Sequence, residues 1–325
     1  MKKILITGAA GFIGYHLSSS LLRQNHKIIA IDNINSYYDI DLKKFRIKAL
    51  KKEKKGKNFF FIKSDLCNKS KLEKIFKKYK FDFVIHLAAQ AGVRFSIDQP
   101  GEYIKSNIIG FYNLLENIRH NKTKLIFASS SSVYGKTNRL SFKEDQKTSE
   151  PLQLYAATKS SNELMAYAYH SLYKLSTIGL RFFTVYGPFG RPDMAIYKFS
   201  KKIMQNKKIE LFNNGNHTRD FTYITDVIDC IQKCIDKYKK KNGNDYEIFN
   251  VGNGKPQKIT YLIDILSREL NKKPIIKLNK LQMGDMINTK ASINKTKKIL
   301  RFKPNVNLKT GIKAFVNWFK KYHKV

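Results

Sequence analysis

The chain has few of the residues that secreted and membrane-inserted proteins depend on. Its 325 residues include only 3 cysteines, 7 prolines and 1 tryptophan. Three cysteines cannot form the even-numbered disulfide framework of a small secreted protein, so we expect a reduced, cytoplasmic chain. No run approaches the roughly 18 consecutive apolar residues of a membrane-spanning helix, and the N-terminus carries no apolar signal region. We therefore expect no membrane partner.

Acidic residues are scarce, with 25 Asp and Glu against 62 Lys and Arg and a net charge of +37. Such a charge makes nucleic acid a partner to consider. However, 52 of the basic residues are Lys and only 10 are Arg, and arginine is the residue that reads bases and phosphates bidentately. The lysine excess accompanies 26 Asn, so codon bias towards A and T explains it. We expect no nucleic-acid binding, although the charge would attract an anionic substrate.

Histidine and cysteine are too scattered for a metal site. The seven His residues contain no His-Glu-x-x-His or similar pair. Cys230 and Cys234 lie one helical turn apart but lack further ligands at suitable spacing. We expect no metal, and we interpret these two cysteines as small buried apolar residues.

Short β-rich runs alternate with segments of helical length and period. The predicted strands are Lys3 to Thr7, Lys27 to Asp32, Phe59 to Ile62, Phe83 to Leu87, Lys124 to Ser129 and Thr177 to Phe183. The predicted helices are Phe12 to Gln24, Leu42 to Lys55, Lys71 to Tyr79, Pro100 to His120 and Tyr155 to Tyr173, the third opened by a capping box, Ser70-x-x-Glu73. This alternation predicts an α/β fold with a Rossmann-like, doubly wound parallel sheet.

The alternation loosens after Gly187, where Gly-Pro, Arg-Pro and Asn-Asn-Gly-Asn turns begin. We expect two domains. The first, which binds a dinucleotide, takes residues 1–187 and about 222–252. The second, a smaller α/β domain for the substrate at the carboxyl ends of the strands, takes about 188–221 and 253–325.

A glycine-rich turn joins the first strand to the first helix and reads Gly8-Ala9-Ala10-Gly11-Phe12-Ile13-Gly14. Alone it indicates only a tight turn, but glycines let a backbone approach a pyrophosphate, and a helix N-terminus favours its charge. Asp32 ends the second strand, where its carboxylate can accept hydrogen bonds from the ribose hydroxyls. The same negative charge repels a 2′-phosphate. Asp32 therefore predicts NAD in preference to NADP. Asp65 and Leu66, after the third strand, are expected near the adenine.

A second group of residues lies beyond the fifth strand. Tyr155 and Lys159 are four residues apart and share one helix face, so an ammonium stands beside the phenol and stabilises its phenolate. The run Ser129 to Ser132 ends the fifth strand and directs a hydroxyl towards the same crevice. In this order, after a nucleotide-binding fold, these residues predict a catalytic group.

These motifs make the chain resemble the extended short-chain dehydrogenase/reductases, and in particular the nucleotide-sugar 4-epimerases. The resemblance runs over nearly the whole chain and includes the glycine-rich turn, His86 to Ala89, Asn107 to Gly110, Ser130 to Gly135, Tyr155 with Lys159, Arg181 to Pro188 and Arg219 to Tyr223. Three segments are most similar to UDP-glucuronate 4-epimerases: Ala89 to Ser96, Asn162 to Ala166 and Gly190 to Ala195.

The resemblance implies a reaction through a 4-keto sugar with enzyme-bound NAD. Tyr155 would take the proton of the sugar's 4-hydroxyl, Ser130 would hydrogen-bond the developing carbonyl, and Lys159 would hold the nicotinamide ribose. Hydride returns to the opposite face of the sugar, so no net oxidation occurs. The implied cofactor-binding residues are Gly8, Gly11, Phe12, Ile13, Gly14, Asp32, Asp65, Leu66, Ala88, Asn107 and Lys159.

The resemblance also implies how a nucleotide sugar is held. The implied substrate-binding residues are Arg94, Ser130, Ser131, Ser132, Thr184, Arg191, Arg219 and Asp285. Arg219 and Asp285 match positions that hold the UDP, while Arg191 and the serines would hold the carboxylate of glucuronate. Two alternatives stay open: Arg191 is a surface charge before a proline, and Arg94 pairs with Asp98.

Serine at positions 131 and 132 separates the chain from two related groups. Dehydratases of the family carry Asp-Glu there, and UDP-glucuronate decarboxylases carry Glu at the position of Ser132. Serine is neither an acid nor a base at neutral pH. One departure from the epimerase pattern is Gln282-Met283-Gly284-Asp285 in place of Gln-Pro-Gly-Asp.

The sequence therefore favours a UDP-glucuronate 4-epimerase that supplies a precursor of cell-surface polysaccharide. Two other functions stay open: a 4-epimerase of a neutral UDP-hexose, such as UDP-glucose or UDP-N-acetylglucosamine, and a non-catalytic NAD-binding module with a basic surface. The resemblance also implies a homodimer formed through the helices Pro100 to His120 and Tyr155 to Tyr173.

Overall fold

The structure is a computed structural model that describes residues 1–137, 139–240, 245–282 and 284–324. The strands are β1 (Lys3–Thr7), β2 (Lys27–Asp32), β3 (Phe59–Lys63), β4 (Phe83–His86), β5 (Lys124–Ser130), β6 (Thr177–Phe182), β7 (Thr184–Tyr186), β8 (Lys208–Leu211), β9 (Thr218–Arg219), β10 (Phe221–Tyr223), β11 (Tyr246–Val251), β12 (Gln257–Lys258) and β13 (Ile275–Leu278). The helices are α1 (Phe12–Arg23), α2 (Ile40–Lys52), α3 (Lys69–Lys78), α4 (Phe95–Asp98), α5 (Pro100–Tyr103), α6 (Gly110–Asn121), α7 (Leu154–Tyr173), α8 (Ala195–Met204), α9 (Ile224–Lys240), α10 (Ile259–Leu270), α11 (Asn294–Leu300) and α12 (Leu308–His323).

A seven-stranded parallel sheet forms the centre of the molecule, in the order β11-β6-β5-β4-β1-β2-β3. One face packs on α1 and α9 through residues such as Leu17 and Ile231. The other face packs on α3 and α6 through residues such as Phe76 and Leu114. The predicted doubly wound, Rossmann-like fold is confirmed. The strand order reverses between β1 and β4, which opens a crevice at their carboxyl ends.

Two predicted helices differ in detail from the structure. The capping box at α3 is wrong, because the helix begins at Lys69 and Asn68 caps it by accepting a hydrogen bond from the Lys71 amide at 3.0 Å. Ser70 therefore lies inside the first turn, where it cannot cap the helix. The predicted helix Pro100 to His120 is one helical run, but Ile104–Ile109 has π-helical hydrogen bonding. Such bulges are frequent at functional sites.

A third hydrophobic core lies outside the large sheet. It contains Ile196, Ile209, Leu262, Ile312 and Phe315, which come from α8, β8, α10 and α12. Three small sheets border it: β10 with β7, β12 with β9, and β13 with β8. Because β7 follows β6 after one residue, this third core stands beside the carboxyl ends of the central strands and faces the crevice.

The loop from Pro188 to Gly190 is held by elements of the large sheet and of the third core. A ring nitrogen of His16 in α1 lies 2.8 Å from the Pro188 carbonyl oxygen. Arg46 of α2 is fully buried and donates to the Phe189 carbonyl at 2.6 Å. The sole tryptophan, Trp318, packs on the Phe189 ring at 5.1 Å between centroids. This loop leads directly into Arg191.

His16 is expected to make the fold sensitive to acid. Burial lowers the pKa of His16 from about 6.5 to about 4, since the charged ring would lose its water. The unfolded chain then binds more protons between these values, so stability is lost as pH falls from about 6.5 towards 4. His16→Gln keeps a donor for the Pro188 carbonyl and should remove about 2 kcal/mol of this loss. Urea unfolding at neutral and acidic pH measures it, and the same loss in both proteins would contradict the prediction.

Cys230 and Cys234 are buried in α9 as free thiols, which confirms their interpretation as small core residues. Within the described residues, no group of three or more His, Cys, Asp or Glu side chains is arranged to hold a metal ion. No described helix combines the length and the apolarity needed to cross a bilayer.

Candidate active site

A cleft of about 400 Å³ opens at the carboxyl ends of the central strands. It brings together most of the site residues predicted from the sequence: Gly8, Gly11, Phe12, Ile13, Gly14, Asp32, Asp65, Leu66, Ala88, Ser130, Ser131, Ser132, Tyr155, Lys159, Thr184, Arg191, Arg219 and Asp285. Asn107 and Arg94 are the two predicted residues that do not line it. Residues from the large sheet and from the chain after Gly187 therefore share one cavity.

The glycine-rich turn is packed too tightly to admit side chains. Gly8 has a φ of +70°, and a Cβ there would lie 2.6 Å from the Ala88 backbone nitrogen. A Cβ on Gly14 would lie 2.2 Å from the carbonyl oxygen of Gly8. The turn therefore leaves the N-terminus of α1 bare on the cleft wall, where backbone N–H groups favour an anion. This cradle fits the pyrophosphate of NAD.

Asp32 is fixed at the end of β2 by backbone amides. Its carboxylate accepts hydrogen bonds from Ala10 at 3.1 Å and from Ile34 at 2.8 Å. Burial raises the pKa of Asp32, while these two amides and the nearby Lys43 ammonium oppose the rise. The carboxylate lines the cleft at the place where the predicted ribose would lie.

Lys43 lines the same part of the cleft but was not predicted as a site residue. Its ammonium is buried and donates to the Asn35 carbonyl at 2.7 Å, and burial lowers its pKa to about 8. The available signal was helical spacing, because Lys43, Ile47 and Leu50 recur every three or four residues and are all buried. A lysine on that face of α2 must point inwards.

Asp65 and Leu66 follow β3 on the far side of Asp32. The Asp65 carboxylate accepts from the Asn33 amide side chain and from the Cys67 backbone, both at 2.8 Å. Although partial burial of Asp65 acts in the opposite direction, these hydrogen bonds lower its pKa. Asp65 is thus an ionised acceptor beside the apolar Leu66, an environment that suits an adenine.

Asn107 lies beneath the cleft wall and does not line the cleft. Its side chain accepts from the Gln90 amide at 2.8 Å and donates to the Thr158 hydroxyl at 3.0 Å. The prediction that Asn107 touches the cofactor therefore gives way to a different placement, in which it joins the loop after β4 to α7. Gln90, which it supports, lines the cleft and was missed by the sequence analysis.

Tyr155, Lys159 and Ser130 meet at the cleft between α7 and β5. Burial lowers the pKa of Lys159 to about 8, and its ammonium donates to the Ala128 carbonyl at 2.8 Å. Burial raises the pKa of Tyr155, whereas contact with the Ser130 hydroxyl and the charge of Arg191 oppose the rise. Lys159 is predicted to stabilise the Tyr155 phenolate, but its ammonium is directed to the Ala128 carbonyl. Arg191 is the positive charge that opposes the rise in the pKa of Tyr155.

The serine run divides into two roles. Ser129 donates to the buried Glu163 carboxylate at 2.6 Å. The Ser130 hydroxyl accepts from the Ser132 amide at 3.1 Å, which closes the single helical turn Ser131–Tyr134. This turn places three hydroxyls on the cleft wall near Tyr155, with no carboxylate among them.

Arg191 is a wall residue of the cleft with 22% of its side chain exposed. It forms an ion pair with Asp193, so the alternative of a free surface charge is wrong. Arg94 pairs with Asp285 at 3.4 Å and not with Asp98, and its guanidinium stacks 4.6 Å from the Phe212 ring. Arg94 thus lies half-exposed at the rim, where it joins the loop after β4 to the chain near position 285.

Arg219 lines the cleft near Asp285. One guanidinium nitrogen donates to the Ile287 carbonyl at 2.8 Å and to the Thr218 carbonyl at 3.0 Å. Burial lowers the pKa of Arg219, and the Asp285 carboxylate opposes this effect. A cation and an acceptor therefore stand together where a nucleoside diphosphate is predicted. Met283, in the same segment, lies outside the described residues.

Comparisons with known proteins agree with this geometry. Residues 4–252 match the model of the NAD dependent epimerase/dehydratase family. UDP-glucuronate 4-epimerase 2 of Arabidopsis thaliana is 42% identical over 335 residues, which cover 99% of this chain and 76% of the relative. The structure of UDP-glucuronic acid 4-epimerase from Bacillus cereus, in complex with UDP-glucuronic acid and NAD, has a TM-score of 0.90 and 34% identity and covers 98% of this chain and 99% of that one. UDP-glucose 4-epimerase from Thermotoga maritima, with UDP-glucose, has a TM-score of 0.86 and 28% identity, with 99% of both chains covered.

Proposed function

Since the chain belongs to the NAD-dependent epimerase/dehydratase family, we propose that it is a UDP-glucuronate 4-epimerase, which interconverts UDP-glucuronate and UDP-galacturonate. The observation that carries the proposal is the position of Arg191. Arg191 and Tyr155 line the same cleft, and the charge of Arg191 opposes the rise in the pKa of Tyr155, so a guanidinium that can bind a carboxylate lies near the phenol. The curated relative from Arabidopsis and the Bacillus structure support the same substrate.

The cofactor is held by residues already placed in the cleft. The bare N-terminus of α1 at Gly11 to Gly14 would receive the pyrophosphate, Asp32 would accept hydrogen bonds from the adenine ribose, and Lys159 would hold the nicotinamide ribose. Bound there, NAD would supply the acceptor for the hydride of carbon 4 and the donor from which it returns to the other face of the sugar. We assign cofactor binding to residues 1–187 and about 222–252, and nucleotide-sugar binding to about 188–221 and 253–325.

Tyr155 handles the proton of the 4-hydroxyl. Its phenolate form accepts that proton, and the Ser130 hydroxyl donates to the oxygen that becomes the carbonyl. Burial disfavours the ionised form, whereas the Ser130 hydroxyl and the charge of Arg191 favour it. On hydride return, the same phenol gives its proton back to the oxygen, so the reaction is balanced within the site.

Arg191 and the three serine hydroxyls hold the carboxylate on carbon 5. A guanidinium offers two parallel N–H donors to a carboxylate. The 4-keto intermediate is a β-keto acid. It loses carbon dioxide most readily when the C5–C6 bond stands perpendicular to the plane of the C4 carbonyl. Because Ser131 and Ser132 provide no acid or base, the site supports retention of the carboxylate.

The assay compares three substrates with purified protein and NAD: UDP-glucuronate, UDP-glucose and UDP-N-acetylglucosamine, followed by proton NMR with carbon dioxide detection. We expect UDP-galacturonate to form from UDP-glucuronate without decarboxylation. Turnover confined to a neutral sugar would overturn the substrate and keep the catalytic residues. A lack of turnover on all three would favour a non-catalytic NAD-binding module.

We propose a homodimer formed by the exposed sides of the α6 and α7 region. Apolar side chains lie exposed there, including Ile109, Tyr112, Tyr167 and Leu164, the last 71% exposed. Large exposed apolar groups along two adjacent helices mark an association surface. Light scattering should give twice the chain mass, and Leu164→Glu should give the mass of one chain. A mass of one chain for the wild type as well as for Leu164→Glu would overturn this proposal.

We also propose that the protein acts in the cytoplasm and that its product enters polysaccharide synthesis. Cys67, Cys230 and Cys234 are free thiols, which suits a reducing compartment. UDP-galacturonate is an activated sugar, so its consumer would be a glycosyl transfer reaction.

A further inference from the structure

We infer that Asp193 and Tyr37 position Arg191 for the substrate carboxylate and thereby set the preference for an acidic over a neutral sugar. The inference rests on the proposed function, because it concerns the residue that reads the carboxylate. Neither Asp193 nor Tyr37 is expected to touch the reacting atoms. Both act through Arg191, so they are positioning residues.

Asp193 occupies one edge of the Arg191 guanidinium. Nε donates to Asp193 Oδ1 at 3.0 Å, and Nη2 donates to Oδ2. The hydrogen bonds that Arg191 makes to described residues use Nε and Nη2 and leave Nη1 unused. The edge formed by Nη1 and the second hydrogen of Nη2 therefore stays available for a second carboxylate, in the paired geometry that arginine prefers.

Tyr37 holds Asp193 from the side of the cofactor. Its hydroxyl donates to Asp193 Oδ2 at 3.0 Å, and its ring lies 5.9 Å from the Arg191 guanidinium. Gly92 permits this approach, because a Cβ there would lie only 2.1 Å from the Tyr37 oxygen. Tyr37 lies in the loop that follows Asp32 and β2. The loop beside the proposed cofactor site therefore also fixes Arg191, through Asp193.

The main chain before Arg191 is already fixed without Asp193. Arg46 donates to the carbonyl of Phe189, and His16 contacts that of Pro188. What remains variable is the direction of the Arg191 side chain. Asp193 is the described acidic group that pairs with it, and this pairing keeps the pKa of Asp193 below its usual range.

The charges around Arg191 determine the direction in which Asp193→Asn should change the affinity for UDP-glucuronate. Asp193→Asn removes a negative charge close to an anionic substrate, so a purely electrostatic role for Arg191 predicts tighter binding of UDP-glucuronate. Positioning predicts the opposite, because Arg191 would lose the partner that holds its fork in place. The two explanations therefore predict affinity changes in opposite directions.

The experiment measures binding of UDP-glucuronate and UDP-glucose to the NAD-loaded protein by calorimetry. We expect Asp193→Asn to weaken UDP-glucuronate by about 10- to 100-fold, the scale of a charged hydrogen bond, and to leave UDP-glucose within about 2-fold. Tyr37→Phe should weaken UDP-glucuronate less, by about 2- to 10-fold, because it leaves both hydrogen bonds between Arg191 and Asp193 in place. Because both residues act through Arg191, the double variant should be no weaker than Asp193→Asn alone.

Asp229→Asn is the matched control, since Asp229 pairs with Lys233 on the surface of α9. It should bind both sugars as the wild type does. Equal or tighter binding of UDP-glucuronate by Asp193→Asn would overturn the inference. An equal loss for both sugars, with a lower melting temperature, would also overturn it by indicating a merely structural role. If the wild type itself does not prefer UDP-glucuronate, the proposed substrate is wrong, which is seen before any variant is compared.

Discussion

Tyr155→Phe is expected to lower kcat by about 100- to 10,000-fold, the usual contribution of a positioned acid–base group. Phenylalanine fills the same buried space beside Tyr103, whose ring centroid lies 6.1 Å away, so the fold should persist. It removes the only atom of the side chain that takes up the hydroxyl proton. Hydride transfer then requires formation of a protonated carbonyl, which is unfavourable.

The measurement is single-turnover epimerisation together with absorbance of reduced cofactor. Tyr155→Phe should bind NAD and UDP-glucuronate as the wild type does and accumulate no reduced cofactor. Tyr261→Phe is the control. Tyr261 is exposed on α10, so this substitution removes an equivalent hydroxyl away from the cleft. Turnover within about 3-fold of the wild type would exclude Tyr155 as the base on the general acid–base scale.

The pattern of the first 187 residues predicted six of the seven strands of the large sheet. Its strands are buried on both faces, so they read as continuous apolar runs between helices of regular period. The seventh strand and the small sheets beyond Gly187 were not predicted in detail. For the small sheets the reason is length, since β9 and β12 have two residues each, too few to carry a period. The seventh strand, β11, has six residues, but it lies beyond Gly187, where the alternation of strands and helices loosens.

Two neighbouring residues were both plausible N-caps of α3. Ser70 and Glu73 have the spacing of a capping box, yet Asn68 stands at the actual start of α3. Both residue types are good caps, so only the path of the chain after β3 decides between them. The sequence alone could not supply that path.

The sequence predicted the residues that line the cleft at the ends of predicted strands. It did not predict the buried side chains that act by holding another side chain in place. Asn107 and Asp193 illustrate the difference. Both are fixed by partners distant in the sequence, Gln90 and Thr158 for the first and Tyr37 for the second. The ionisation of Tyr155 belongs to the same class, because the degree of burial that raises its pKa is a property of the assembled core.

Arg191→Ala is expected to lower kcat/KM for UDP-glucuronate by about 30- to 1000-fold, the effect of truncating one partner of a buried charge pair. Part of that loss comes from Asp193, which would be left ionised and unpaired beside the substrate carboxylate. The double variant Arg191→Ala with Asp193→Asn separates the two effects, and it should recover activity relative to Arg191→Ala alone.

The same change should alter the fate of the 4-keto intermediate. With the carboxylate no longer held, the C5–C6 bond can break, its electron pair passing to the C4 carbonyl to give an enolate as carbon dioxide leaves, and a proton then adds to carbon 5. We therefore expect carbon dioxide release per turnover to rise in Arg191→Ala, and UDP-glucose binding to stay within about 3-fold, because a neutral sugar makes no charged contact with Arg191. Arg268→Ala, on the exposed face of α10, controls for the loss of one positive charge. A loss shared equally by UDP-glucuronate and UDP-glucose would contradict the role of Arg191 as carboxylate reader, since only the acidic sugar offers its guanidinium a charged partner.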